Sequence, residues 1–243
     1  DEASVLTDSE RVIARYHDPG RGSLLQVLIE PCSTYSVSDG PMRDSAALAR
    51  AHGVRLHTHL AESRDEHTWC LDNLGQTPLG HIESLDWLAA DAWFAHMITL
   101  SAPEVIRLGR SGCGVAHCPC SNMRLGNGIA PIQAMLGRGV PVGIGVDGAA
   151  SNDGGNLLAE TRQAMLLQRV SQGAAALDAE QALAMATRGG ARLLGRDDIG
   201  EIAPGMAADI AGFRLDELAM AGGAVHDPLA ALVFRRGWLL TPA

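Results

Sequence analysis

Five times between residues 23 and 148 a short apolar run gives way to a stretch that reads as a helix or its lead-in loop. The runs are SLLQVLIEP (23–31), VRLHTHL (54–60), AWFAHMI (92–98), CGVAHCP (113–119) and PVGIGVDG (141–148). Near-continuous apolar runs of this length are the pattern of strands covered on both faces. The intervening GPMRDSAALARAHG is stopped by Gly53, and SAPEVIRLGRSG starts with Ser101 as an N-cap and Pro103 in its first turn. SRDEHTWCLDNLG reads as a helix, as does APIQAMLGRG after the loop CSNMRLGNG. Two longer helices, NLLAETRQAMLLQRV and DAEQALAMATRGGARLLG, follow. Strands alternating with helices require a parallel sheet, open or closed. Residues able to do chemistry gather where the strands end: Cys32, His59, His96, His117 and Asp147. A (β/α)8 barrel puts its active site at that end. An open, doubly wound sheet would show a glycine fingerprint after its first strand, and none is present.

The count of strands limits where this piece of barrel lies. A whole strand–helix unit precedes His57 and His59, and too little chain follows them for seven further units of roughly 25–30 residues. The pair is therefore expected on a middle strand, with the first strands of the barrel outside these residues. DEASVLTDSERVIARYH, with Val5, Val12 and Ile13 on one side, reads as a helix already under way. At the other end IGEIAPGMAADIAGFRLDEL changes texture, with short alternating apolar stretches and a Pro-Gly turn at 204–205. It is expected to open a small β element beside the barrel.

Composition excludes several classes of function. A formal net charge of −9 argues against a nucleic-acid surface and against an anionic membrane. The 5 cysteines are odd in number and contain no CxxC pair, so a disulfide framework is not expected and a reduced, cytoplasmic setting is. No apolar run approaches the roughly 20 residues of a membrane span, and no targeting segment is read at the N-terminus.

Residues two apart on a strand share a face, so His57 and His59 point to the same side, with His59 nearer the barrel mouth. Glu62 lies just past the strand end. A neutral imidazole is a good zinc or iron ligand, and a nearby carboxylate can carry a proton. Taken singly, His59 reads as a core histidine and Glu62 as a helix N-terminal glutamate. His96 and Asp147 at the ends of other strands change that balance, because all of them would converge on one axial cavity. An aspartate there can bind a metal and take a proton from its water, while His96 orients that water.

In combination, HTHLAES, AHMITLS, VAHCPCSNMRLGNGIAPI and GIGVDGAASNDGGNLLAETRQAMLLQ resemble the metal-dependent amidohydrolase superfamily, in its nucleobase and heterocycle deaminase branch. The resemblance runs over roughly residues 24–240 and includes GEIAPGMAADI, which is similar to the family's return to its small β-sandwich. It implies an α/β fold: the C-terminal part of a (β/α)8 TIM barrel, about strands four to eight, over 1–195, and the start of a β-sandwich portion over 196–243. It implies His59 and Asp147 as metal ligands, Glu62 as the group that passes a proton to a ring nitrogen, His96 beside the metal's water, and Asp147 as general base. His117 and Asn122 fall in the seventh-strand loop that shapes the substrate pocket. The cofactor implied is one divalent metal, zinc first and iron(II) second. The family's first-strand His-x-His is absent, so the 243 residues alone are expected to bind metal poorly and to be inactive.

Cys32, in EPCSTYS, stands where many purine-processing relatives carry histidine, and Pro-Cys-Ser there resembles the branch that deaminates 8-oxoguanine. A thiol leaves room for an exocyclic carbonyl; a small buried cysteine is the equal alternative. The expected activity is hydrolytic deamination of an oxidised purine such as 8-oxoguanine. The alternatives are an adenosine-type thioether deaminase, a triazine hydrolase, or a non-catalytic remnant. The expected partners are a small heterocyclic substrate and further copies of the chain. A zinc site of His117, Cys118 and Cys120 is set aside because the P-C-x-x-C and H-x-E spacings fail. His17, His52, His67, His81 and His226 are expected on the surface or in loops.

Overall fold

The computed structural model describes residues 2–235. Four strands form one parallel sheet in strict chain order: β1 (Leu56–Leu60), β2 (Ala92–His96), β3 (Gly114–His117) and β4 (Val142–Ile144). The register pairs His59 with Ala95, Ala95 with Ala116, and Ala116 with Gly143. Every strand passes to the next through helix, and the order never reverses. That is the winding of a β/α barrel wall, whereas a doubly wound sheet reverses at a switch point.

Before β1 come α1 (Glu2–Tyr16) and α2 (Asp39–His52), the latter closed by Gly53 in the left-handed conformation at φ 66°. The strand expected over 23–31 is reduced to two parallel bridges, Ile29 with Leu56 and Ser33 with His59. Four steps on one side match three on the other, which is a bulge. Pro31, with no amide hydrogen, sits inside it and cannot continue the ladder.

Between strands run α3 (Arg64–Leu74), α4 (Pro78–Ser84), α5 (Ala102–Ser111), α6 (Pro119–Arg124) and α7 (Ile132–Leu136). α5 begins with a full capping box of Ser101 and Glu104. α4 escaped the periodicity reading because it is short, although Thr77 caps it and Pro78 opens it. α6 corrects the loop expected over 120–128: Pro119 at its first position and Cys118 O, which accepts from Asn122 N at 3.0 Å, turn it into helix.

After β4, α8 (Leu157–Gln172) and α9 (Ala179–Ala184) lead through a π turn (Met185–Gly189) into α10 (Gly190–Leu193). This last stretch packs on β3 and β4. A Cβ on Gly143 would meet Leu193 Cδ1 at 2.6 Å, and one on Gly189 would meet Val142 O at 2.0 Å. The glycines permit that close approach.

Of the β element expected from 196 onward, residues 196–235 show one bridge residue, Phe213, and no strand. Arg196 grips Asp198 through two charge-assisted hydrogen bonds, and Asp198 accepts from Gly22 N at 2.6 Å, so the chain is pinned as loop. Leu218–Met220, α11 (Gly223–His226) and α12 (Pro228–Arg235) follow, and α12 places Val233 in the core against α8 and α9. The remainder of that expectation, 236–243, lies outside the described residues. Among the described residues no helix is long and apolar enough to cross a membrane.

Candidate metal centre and its proton carriers

The ends of β1, β2 and β4 deliver His59, His96 and Asp147 to one place, with a possible ligand atom from each within 4.8 Å of the others. Among the described residues this is the grouping that could hold a metal ion. His59 Nδ1 donates to Cys32 O at 2.8 Å, which leaves Nε2 as a bare lone pair 3.7 Å from Asp147 Oδ1. His96 repeats the device: Nδ1 donates to Asn122 Oδ1 at 2.8 Å, and Nε2 faces Asp147 Oδ2 at 3.9 Å and Glu62 Oε2 at 3.8 Å. His96 Nε2 is buried and has no hydrogen-bond partner. An outer carbonyl that fixes the tautomer and aims the second nitrogen is how metal histidines are held.

The backbone is bent to make this possible. His96 has φ 73° and Asp147 φ 63°, in the left-handed region that costs a non-glycine residue energy. The bend turns both side chains out of the plain strand alternation and toward the mouth. Burial pushes the Asp147 carboxyl up, but the Ser121 and Ser151 hydroxyls and the Gly148 amide outweigh it and hold it below the usual aspartate range. Those hydroxyls donate to Oδ2 at 2.5 and 2.8 Å. The group thus stays an anion beside two imidazoles. Two nitrogen donors, one of them orphaned, and a stabilised carboxylate suit zinc or a similar divalent ion.

Glu62 completes the cluster. Its Oε1 accepts from Asn127 Nδ2 at 3.1 Å and its Oε2 faces His96. Glu62 and Asn127 line a cavity of about 330 Å³ together with His59, Ser33, Tyr35 and Leu125. His57 shares the face of His59, as expected, with ring centroids 5.7 Å apart. It lies deeper, stacked on Trp93 at 3.5 Å, with Nε2 3.5 Å from Glu30 Oε1. Burial drives its pKa down to about 4.

The residues expected to touch substrate divide. Glu62 lines the cavity. Cys32 contributes its carbonyl to His59, while its side chain is exposed, against the buried-cysteine alternative, and lines a separate cavity with Val5, Leu6 and Pro41. Asn122 and His117 are fully buried. Asn122 acts on His96, and His117 keeps both ring nitrogens unpartnered, its pKa lowered to about 3 by burial. His81 corrects the surface expectation: it is 3% exposed, with Nε2 3.0 Å from Asp39 Oδ1. Ser121, Ser151 and Asn127 were not singled out from sequence. A serine four residues after Asp147 was a readable signal for Ser151; Asn127 is 65 residues from Glu62 and had none.

Residues 1–237 match the profile of the amidohydrolase family. The chain is 52% identical over 230 residues to an 8-oxoguanine deaminase of Pseudomonas aeruginosa, covering 95% of this chain and 51% of that protein. It is 40% identical over 239 residues to an isoxanthopterin deaminase of an unknown prokaryotic organism, covering 92% and 49%. The fold superposes with TM-score 0.91 on the atrazine chlorohydrolase TrzN of Arthrobacter aurescens TC1 complexed with zinc, at 35% identity, covering 96% of this chain and 51% of that one. The chain spans about half the length of the curated relatives it matches. Its α/β sheet is thus a portion of a TIM barrel, and the chain belongs to the amidohydrolase family.

Proposed function

We propose that the whole protein is a metal-dependent aminohydrolase that replaces an exocyclic amine of a nitrogen heterocycle by a carbonyl, with 8-oxoguanine as substrate. The observation that carries the reading is the convergence of His59, His96 and Asp147 within 4.8 Å of one another, with Glu62 3.8 Å from His96. The substrate rests on the 52% identity to an 8-oxoguanine deaminase. His59 and Asp147 would hold zinc, or iron(II) in its place, with His96 alongside. A divalent ion there supplies Lewis acidity that makes water acidic near neutral pH.

The chain's own groups handle the protons. Asp147, kept ionised by Ser121 and Ser151, accepts the proton that water loses. His96 Nε2, 3.9 Å from Asp147 Oδ2, shares that proton. The water's oxygen bonds to the amine-bearing carbon while Glu62, carboxylic at the start and across from His96, gives its proton to the neighbouring ring nitrogen. Asp147 then passes the water's first proton to the amine, the C–N bond breaks and ammonia leaves, and the second O–H proton returns to Glu62 as the carbonyl forms. Cys32 acts on the site through its carbonyl on His59 and Asn122 through its hold on His96, while the buried His117 supports the wall behind them. Residues 1–195 form the portion of the barrel that carries these groups. The remaining partners proposed are further copies of the same chain, with no nucleic acid and no membrane, in the cytoplasm.

Ammonia release by the zinc-loaded whole protein tests this on a panel of 8-oxoguanine, isoxanthopterin, 5′-methylthioadenosine and an aminotriazine. A kcat/KM order led by 8-oxoguanine supports the reading. An order led by methylthioadenosine or the triazine moves the substrate to those rivals. No ammonia from any of them removes the deaminase reading and leaves the non-catalytic one.

A further inference from the structure

We propose that Glu66 and Asn127 are positioning residues that hold Glu62 from its two sides. Glu66 fixes the backbone turn that delivers it, and Asn127 fixes its carboxylate. The inference rests on the proton-carrying role given to Glu62 above.

The path from β1 to Glu62 passes through Ala61, which has φ 51°. An alanine adopts that conformation only where its surroundings enforce it. The enforcement is visible on both sides of the peptide. Glu66 Oε1 accepts from Ala61 N at 3.2 Å and Glu66 Oε2 from Glu62 N at 2.7 Å. Ala61 O accepts from Ile98 N at 2.8 Å and Thr99 N at 3.0 Å, in the turn that follows His96. The ends of β1 and β2 are therefore tied through the same peptide that aims Glu62.

Glu66 is more than an ordinary helix cap. It stands in the first turn of α3, whose N-cap is Ser63. A capping-box glutamate returns to the N-cap amide; Glu66 instead reaches the two amides before it. It is also 5% exposed, so it gives up hydration to make those bonds. From the far side Asn127 Nδ2 donates to Glu62 Oε1 at 3.1 Å, so the other oxygen is the one presented to His96 Nε2 at 3.8 Å. A carboxylate with one oxygen anchored and its peptide clamped has little rotational freedom left, which is what a proton carrier at a fixed distance requires.

The test uses the zinc-loaded whole protein with whichever panel heterocycle it turns over. Asn127→Ala is expected to lower kcat roughly tenfold or more while KM stays within about twofold. Added to Glu62→Gln it should lower kcat no further, because it acts only through the carboxylate. Glu66→Gln, which keeps one acceptor oxygen, should fall between wild type and Glu66→Ala. Crystal structures of the variants should show Glu62 swung away from His96. A raised KM with unchanged kcat would make Asn127 a substrate contact. Additive losses in the double variant, or an unmoved Glu62, would overturn the proposal. If Glu66→Ala does not fold, Asn127→Ala and Glu66→Gln carry the test. If wild type turns over no heterocycle, the deaminase reading falls, and the crystallographic comparison alone decides the positioning.

Discussion

Asp147 shows how much of a site's chemistry is settled at single atoms. Two hydroxyls on one carboxylate oxygen keep the other free to face His59. Ser121→Ala should therefore lower zinc affinity about tenfold, the usual cost of losing an outer hydrogen bond on a metal ligand, as measured by competition with a chromogenic chelator. His57 and His117 make a separate prediction about pH. Both are buried and neutral, with pKa values lowered to about 4 and about 3. The unfolded chain takes up those protons near pH 6.5 and the folded chain does not, so the unfolded state binds more protons in the window between. Stability should be full above pH ~6.5 and fall toward pH 4 by up to about 1.4 kcal/mol per pH unit for each histidine. Urea midpoints across that range should show the slope, and His117→Asn should make it shallower.

At the scale of elements, the barrel wall is tight where the π turn and α10 meet β3 and β4. Gly189→Ala gains about 1 kcal/mol of helix propensity but drives a methyl against Val142 O, an overpacking cost of about 3 kcal/mol. A net loss of about 2 kcal/mol is expected in urea unfolding, with the metal centre at the other end of the strands unchanged in zinc content. The strand–helix alternation that creates this wall was legible because each run announces itself locally: Gly53 and Gly75 stop their helices, Ser101 and Pro103 start another. The failures were local competitions that the sequence leaves open. The run 23–31, whose hydrophobicity spoke for a strand, holds only the bridge at Ile29, and Pro119 opened a helix inside a polar segment that spoke for a loop.

For the molecule as a whole, the formal charge of −9 predicts that double-stranded DNA will not shift its sedimentation at physiological salt. Among the described residues three possible donors lie within 4.8 Å of one another. In the whole protein, removing one of them, as in His59→Ala, should abolish the heat of zinc binding measured by calorimetry. The order of residues along the chain already specifies the kind of fold, a parallel β/α wall, and places Cys32, His59, His96, His117 and Asp147 near strand ends. Both follow from periodicity and from neighbours close along the chain. Which atoms face which is settled by long-range packing. The left-handed backbone at Ala61, His96 and Asp147 is imposed from outside, and the carbonyl on His59, Asn122 on His96 and Asn127 on Glu62 come from residues 26 to 65 positions away. Contacts that distant form only when the whole wall closes, so no local pattern can record them.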